Sequence, residues 1–133
     1  MSTAKTYADV VEGVRAALAA YAHALDDGRA EDVVATFCPD GVAEIPGSGT
    51  FEGQDALRKV YAGFTPRAPQ RHVVVNTLVT DWDQDEANAV SDLVFLQKGE
   101  AGWAVQLVGR YDDRLRYLEG TWRFQRRAMQ FVN

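Results

Sequence analysis

One cysteine, Cys38, stands among 133 residues. It cannot form an intrachain disulfide, and a cysteine-built zinc site is excluded. A reduced, intracellular setting fits that scarcity. Histidine is nearly as rare, with His23 and His72 alone, and no His/Glu spacing suggests a metal site, so neither a metal nor a cofactor is expected. Proline occurs four times, twice in TPRAPQ, residues 65–70. That stretch is a loop too short to link two domains, and the length suits a single domain over 1–133.

No run approaches the ~18 apolar residues of a membrane span. The opening MSTAKTYADVVEG lacks a basic region followed by an apolar run, so no signal peptide is expected and a cytoplasmic location is. Basic residues are outnumbered, 14 to 19, giving a formal net charge of −5 and a pI of about 4.9. Nucleic acid and anionic membrane surfaces both need a basic footprint, so neither is an expected partner. A Gly-rich phosphate loop is missing too: GSGTFEG has the glycines, but strand patterns flank it, and it reads as a hairpin.

The chain does have apolar residues, at 47%, and three Trp, six Phe and five Tyr. That is enough to fill a core and to wall a cavity as well. In residues 7–27, Tyr7, Val10, Val11, Val14, Ala17, Leu18, Tyr21 and Leu25 recur at three- and four-residue steps, the stripe of an amphipathic helix. Thr6 is the expected N-cap and Gly28 the stop. RAEDVVATFC, 29–38, predicts a shorter helix closed by the turn CPDG. GVAEIP and the end of GSGTFEG predict two short strands. QDALRKVYAGF, 54–64, predicts a third helix with Leu57, Val60, Tyr61 and Phe64 on one side. From residue 71 the period becomes two, with strands expected near 71–81, 87–98, 103–116 and 121–132. Helices first and a strand meander after them point to an α+β domain, with helices covering one face of a strongly curved, mostly antiparallel sheet. The cone so enclosed is a natural place for a ligand.

Within QRHVVVN, residues 70–76, strand alternation puts His72, Val74 and Asn76 on one face and Val73 and Val75 on the other. A polar face on an apolar strand either meets water or lines a pocket. On NAVSDLVFLQ, Asp92 shares a face with Val90 and Val94 and is expected to look inward. On LVGRYDDRLRY, one face holds Leu107, Gly109, Tyr111, Asp113 and Leu115. Gly109 there leaves room for a close neighbour or a ligand, Tyr111 is a candidate cavity wall, and Asp113 a candidate ion-pair partner of Arg126. His23 falls on the polar side of the first helix, at the surface. Asp26 lies at the edge of the apolar stripe, near the helix end.

The segments YAHALDDGRAEDVVATFCPDGV, FEGQDALRKVY, RHVVVN, GRYDDRL and GTWRFQRR resemble the SnoaL-like branch of the nuclear-transport-factor-2-like superfamily, over about residues 7–130. That branch includes polyketide cyclases, scytalone dehydratase and bile-acid dehydratase relatives. The resemblance implies a cone-shaped domain of three N-terminal helices packed on a strongly curved sheet. It also implies pairing through the outer sheet face, hence a homodimer. In the dehydratase relatives a proton is abstracted beside a carbonyl, or water is eliminated, by a tyrosine and an aspartate of the first helix and a histidine of the strand after the third helix. These match Tyr21, Asp26 and His72. The second histidine of scytalone dehydratase has no counterpart, and Asp92 is the one ionisable group on that strand.

The expectation is therefore a cofactor-independent lyase or isomerase acting on an apolar carbonyl compound such as a polyketide, steroid or aromatic. His72 would be the base or acid, Asp26 its partner and Tyr21 the carbonyl donor, with Asn76, Asp92 and Tyr111 contacting the guest. The fold also hosts non-catalytic binding or scaffold domains and the small structural subunits of ring-hydroxylating dioxygenases.

Overall fold

The computed structural model describes residues 3–133. Its first element is the helix α1, Tyr7–Asp26. Thr6 caps it, the side chain accepting from the Asp9 amide while the Asp9 carboxylate accepts from the Thr6 amide, a reciprocal capping box. Past Asp27 the chain leaves the helix at Gly28, whose φ of 73° suits glycine. Val10, Val14, Ala17, Leu18, Tyr21, Ala24 and Leu25 are the buried stripe of α1, the face predicted by the three- and four-residue spacing.

Helix α2 is Ala30–Ala35, and strand β1 starts at Phe37 and runs to Ile45. The sequence pattern places Phe37 and Cys38 in the helix and CPDG in a turn. Instead β1 begins early and runs parallel to β6, with a register shift between Phe37 and Val42. Sheet bonding wins over helical propensity because Phe37 and Cys38 are both buried and the Phe124 amide bonds the Thr36 carbonyl at 2.8 Å. Gly41 permits the close approach: a Cβ there would lie 2.9 Å from the carbonyl oxygens of Cys38 and Phe124. A tight turn at 46–48 then leads to β2, Gly49–Glu52, and helix α3 covers Gln54–Ala62.

The remaining strands are β3, Gln70–Trp82; β4, Glu86–Gly99; β5, Gly102–Leu118; and β6, Thr121–Phe131. They lie close to the predicted ranges. All six strands form one sheet in the order β2-β1-β6-β5-β4-β3, antiparallel except for the β1–β6 pair. The inner face of β4 is Ala87, Ala89, Ser91 and Leu93; that of β5 is Gly109, Tyr111, Asp113 and Leu115. α1 lies against β3 and β6 on that face, and the core gathers between them, around Phe37, Phe124, Leu57, Leu93 and Leu115. The architecture is the expected α+β fold, helices on one face of a mostly antiparallel, curved sheet. No helix among the described residues is long and apolar enough to cross a membrane.

Candidate active site

A cavity of about 410 Å³ opens between α1, α3, the 63–69 loop and the inner faces of β3, β4 and β5. Its walls are mainly apolar and aromatic, with Leu25, Phe64, Leu93, Phe95, Leu107 and Phe131 among them. Polar groups are few: the hydroxyls of Tyr21, Tyr61 and Tyr111, the ring of His72, and Gln70, Gln97, Arg67, Thr65 and Ser48. An apolar hollow with a handful of aimed polar groups has the build of a small-molecule site.

His72 enters from β3. Its ring packs on Phe95 of the neighbouring strand, centroids 4.5 Å apart, because the antiparallel register sets the two residues directly opposite. Asp26 reaches it from the end of α1. The carboxylate accepts twice from one residue: Oδ2 from the His72 amide at 2.8 Å and Oδ1 from the ring nitrogen Nδ1 at 2.6 Å. The Gln70 amide nitrogen donates to the same Oδ1 at 3.2 Å. Only 6% of the Asp26 side chain and 13% of that of His72 is exposed, so the pair works largely away from water. Burial alone would raise the Asp26 carboxyl, but the side-chain and main-chain hydrogen bonds from His72 outweigh it and hold the carboxyl below its ordinary range. An ionised carboxylate can only accept, so Nδ1 carries a proton, and whenever the ring is neutral it is Nε2 that keeps its lone pair. His72 is thus held in the tautomer of a base, by the arrangement that orients histidine in acyl-transfer triads.

Tyr21 lies on the buried stripe of α1, and its hydroxyl is 2.8 Å from that of Tyr61 on α3. Burial pushes both phenols up, so they stay protonated donors. Two hydroxyls sharing one hydrogen bond leave one proton free to point at a guest's oxygen. Tyr111 lines the same cavity, as the sequence suggested. Beneath these rings lies a buried ion pair, Arg127 with Asp113, Nε to Oδ1 3.2 Å.

Three expectations about orientation are corrected. Asn76 does not share the His72 face: it has a left-handed φ of 56°, and a bulge between Val75 and Leu78 turns it outward. Its side chain is exposed and donates to Asp92 Oδ2 at 2.8 Å. Asp92 likewise faces out, since it stands opposite the exposed Val75 while its neighbours Ser91 and Leu93 take the inner face. Neither residue lines the cone. Finally, Asp113 pairs with Arg127 rather than Arg126, which instead pairs with Glu44. A register shift opposite Arg114 and Leu115 inverts the alternation of β6 after Phe124. His23 is exposed on α1, as read from its helical position.

Tyr61, Gln70 and Arg127 carry no sequence signal that marks them as functional. Tyr61 sits on the apolar stripe of α3 as one more core ring. Gln70 opens the polar-faced stretch of β3, but nothing in sequence ties it to Asp26. Among the described residues no group of three or more His, Cys, Asp or Glu side chains is placed to hold a metal.

Comparison with known proteins bears on the family and the fold. The profile of the SnoaL-like domain family matches residues 6–128. No curated protein sequence matches. Among solved structures, a protein of unknown function from Mycobacterium tuberculosis is similar at 26% identity and a TM-score of 0.86, over 93% of this chain and 77% of that one. A candidate scytalone dehydratase from Novosphingobium aromaticivorans is 22% identical over 93% of this chain and 85% of that one, with a TM-score of 0.82. An ntf2-like protein with a cystatin-like fold from the same organism is 21% identical over 97% and 92%, with a TM-score of 0.83. The inner-face cavity, the element order and the match over nearly the full length lead to one assignment: the chain belongs to the SnoaL-like domain family, with the nuclear-transport-factor-2-like, cystatin-like fold.

Proposed function

We propose that this protein is a cofactor-independent lyase or isomerase that moves a proton on an apolar carbonyl compound, such as a polyketide, steroid or aromatic, held in the cone. The observation that carries the reading is the 2.6 Å contact of Asp26 with His72 Nδ1 at the wall of an aromatic-lined cavity. Nε2 takes a proton from the carbon beside the carbonyl. The freed electron pair forms a double bond between that carbon and the carbonyl carbon, the C=O π pair moves onto oxygen, and the oxygen so charged is met by the Tyr21–Tyr61 hydroxyls. Imidazolium, steadied by the Asp26 carboxylate, then returns the proton. Delivered to a β-hydroxyl, it releases water and leaves an alkene; delivered to another carbon, it shifts a double bond. Either way proton and electron pairs balance without an outside reagent. The likeness to a candidate scytalone dehydratase supports the elimination branch.

A panel of steroids and aromatic polyketides is first screened by thermal shift, since a ligand that binds only the folded chain raises its melting temperature. Each binder is then incubated in deuterium oxide with the protein, and the α-position is followed by NMR. The proposal expects deuterium at that carbon, lost in His72→Gln while binding persists. Binding with no exchange, or exchange indifferent to His72, would instead make the chain a ligand-binding domain.

A further inference from the structure

Arg127 is the most unusual buried residue of the fold. Only 2% of it is exposed, yet neither Nη atom has a hydrogen-bond partner among the described residues. Its Nε lies within ion-pair range of Asp113 Oδ1 but out of line for a hydrogen bond. A guanidinium taken from water with so few bonds needs another source of stabilisation. The ring faces supply it: the guanidinium carbon is 3.4 Å from the Tyr111 centroid, 4.2 Å from that of Tyr21 and 4.6 Å from that of Phe124. Two of those three rings carry hydroxyls on the cavity wall. Arg127 itself does not line the cavity. It sits on the far side of the phenols that do.

We propose that Arg127 is a positioning residue for the proton-transfer site, fixing the Tyr21 ring from behind and making the Tyr21–Tyr61 hydroxyl pair a stronger donor than burial alone would leave it. The idea rests on the reading of the cone as a site where a carbonyl oxygen gains charge. A fixed cation behind a phenol favours negative charge at its oxygen, and at any oxygen hydrogen-bonded to it. In a dry setting that influence reaches further than it would through water. Asp113 tempers the field from β5, Tyr61 shares its proton from α3, and Tyr111 packs edge to face on Tyr21, centroids 6.3 Å apart; these are the ionisable groups facing Tyr21. The cation pulls both phenols of the pair downward against the upward push of burial.

The test needs neither substrate nor turnover, so it stands apart from the deuterium experiment. A fluorinated tyrosine, a stronger acid than tyrosine, is placed at residue 21 and titrated by ¹⁹F NMR. The chemical shift also reports whether the residue still sits in a folded core. In Arg127→Met the residue is expected to become at least about tenfold weaker as an acid. In Asp113→Asn, which removes the opposing anion and keeps the cation, it is expected to become a stronger acid. Arg127→Lys is expected to fall between the parent and Arg127→Met. An unchanged titration in folded Arg127→Met overturns the proposal. If that variant does not fold, Asp113→Asn decides, and an unchanged or weaker acid there overturns it.

Discussion

At the residue scale the account rests on a carboxylate, an imidazole and two phenols from three different elements. Removing the imidazole in His72→Gln is expected to cost about 10²–10⁴ in rate, the range of a lost general base, and to leave the chain folded, which circular dichroism checks. Removing one hydroxyl in Tyr21→Phe or Tyr61→Phe is expected to cost about 10² in rate, with ligand affinity in the thermal-shift assay little changed. Asp26 ties function to stability. Its carboxyl is held low in the folded chain and titrates near ~3.9 when unfolded. The ionised group therefore adds stability above that value, and the contribution is lost as pH falls through the lower folded value. Urea denaturation should show wild type more stable than Asp26→Asn at neutral pH, with the gap narrowing below about pH 4. Asp113 slopes the other way, since burial raises its carboxyl to about 6, but it is common to both proteins and cancels in the difference. His72, Asp26 and Tyr21 stood out because the segments that carry them resemble a family pattern. Tyr61 was not, because a phenol on an apolar stripe reads as core until the partner hydroxyl is seen.

At the scale of elements, periodicity located every helix and all four long strands, because burial on one face forces a period of 3.6 or 2. It failed at the bulges. An extra residue in one strand inverts every face downstream, and that one effect misplaced Asn76 and exchanged Arg126 for Arg127. Asp92 was misread for a simpler reason: both faces of β4 carry apolar residues, Val90 and Val94 beside Asp92 and Ala89 and Leu93 on the other side, so hydrophobicity could not say which face was inner. The bulge has its own chemistry. Asn76 holds a positive φ that asparagine and glycine tolerate and β-branched residues do not. Asn76→Gly is expected to fold with near-native stability, and Asn76→Val to lose about 1–3 kcal/mol, measured by urea denaturation. Helix α1 docks through Gly13, where a Cβ would lie 2.2 Å from Cδ1 of Trp122. Alanine would add about 1 kcal/mol of helix propensity. The clash with a rigid, buried indole outweighs that gain, so Gly13→Ala is expected to destabilise, by about 1–2 kcal/mol net.

For the whole molecule, the inner sheet face belongs to core and cavity, while the outer face, polar at Asn76 and Asp92, also carries exposed valines and a leucine. Val73, Val94 and Val108 form one row across β3, β4 and β5, and Val73, Val75, Leu78 and Val108 are exposed. A second copy of the chain is the expected cover, as the family resemblance implied. Sedimentation should give a dimer, and Val73→Asp with Val108→Glu a monomer. The fold class was readable from the order of elements, and a cone was expected from it, but its volume was not readable, since no local pattern tells a filled cone from a hollow one. The claim at the centre is that His72 holds a bare Nε2 at the wall of that hollow, kept so by Asp26. The most direct measurement is ¹⁵N NMR of the His72 ring at a pH where it is neutral, before and after adding a ligand from the thermal-shift panel, with exposed His23 as the internal reference. The account predicts a protonated Nδ1, an unprotonated Nε2 whose resonance moves when the ligand binds, and loss of that single tautomer in Asp26→Asn. A proton on Nε2, or a ring indifferent to every cavity ligand, would contradict it.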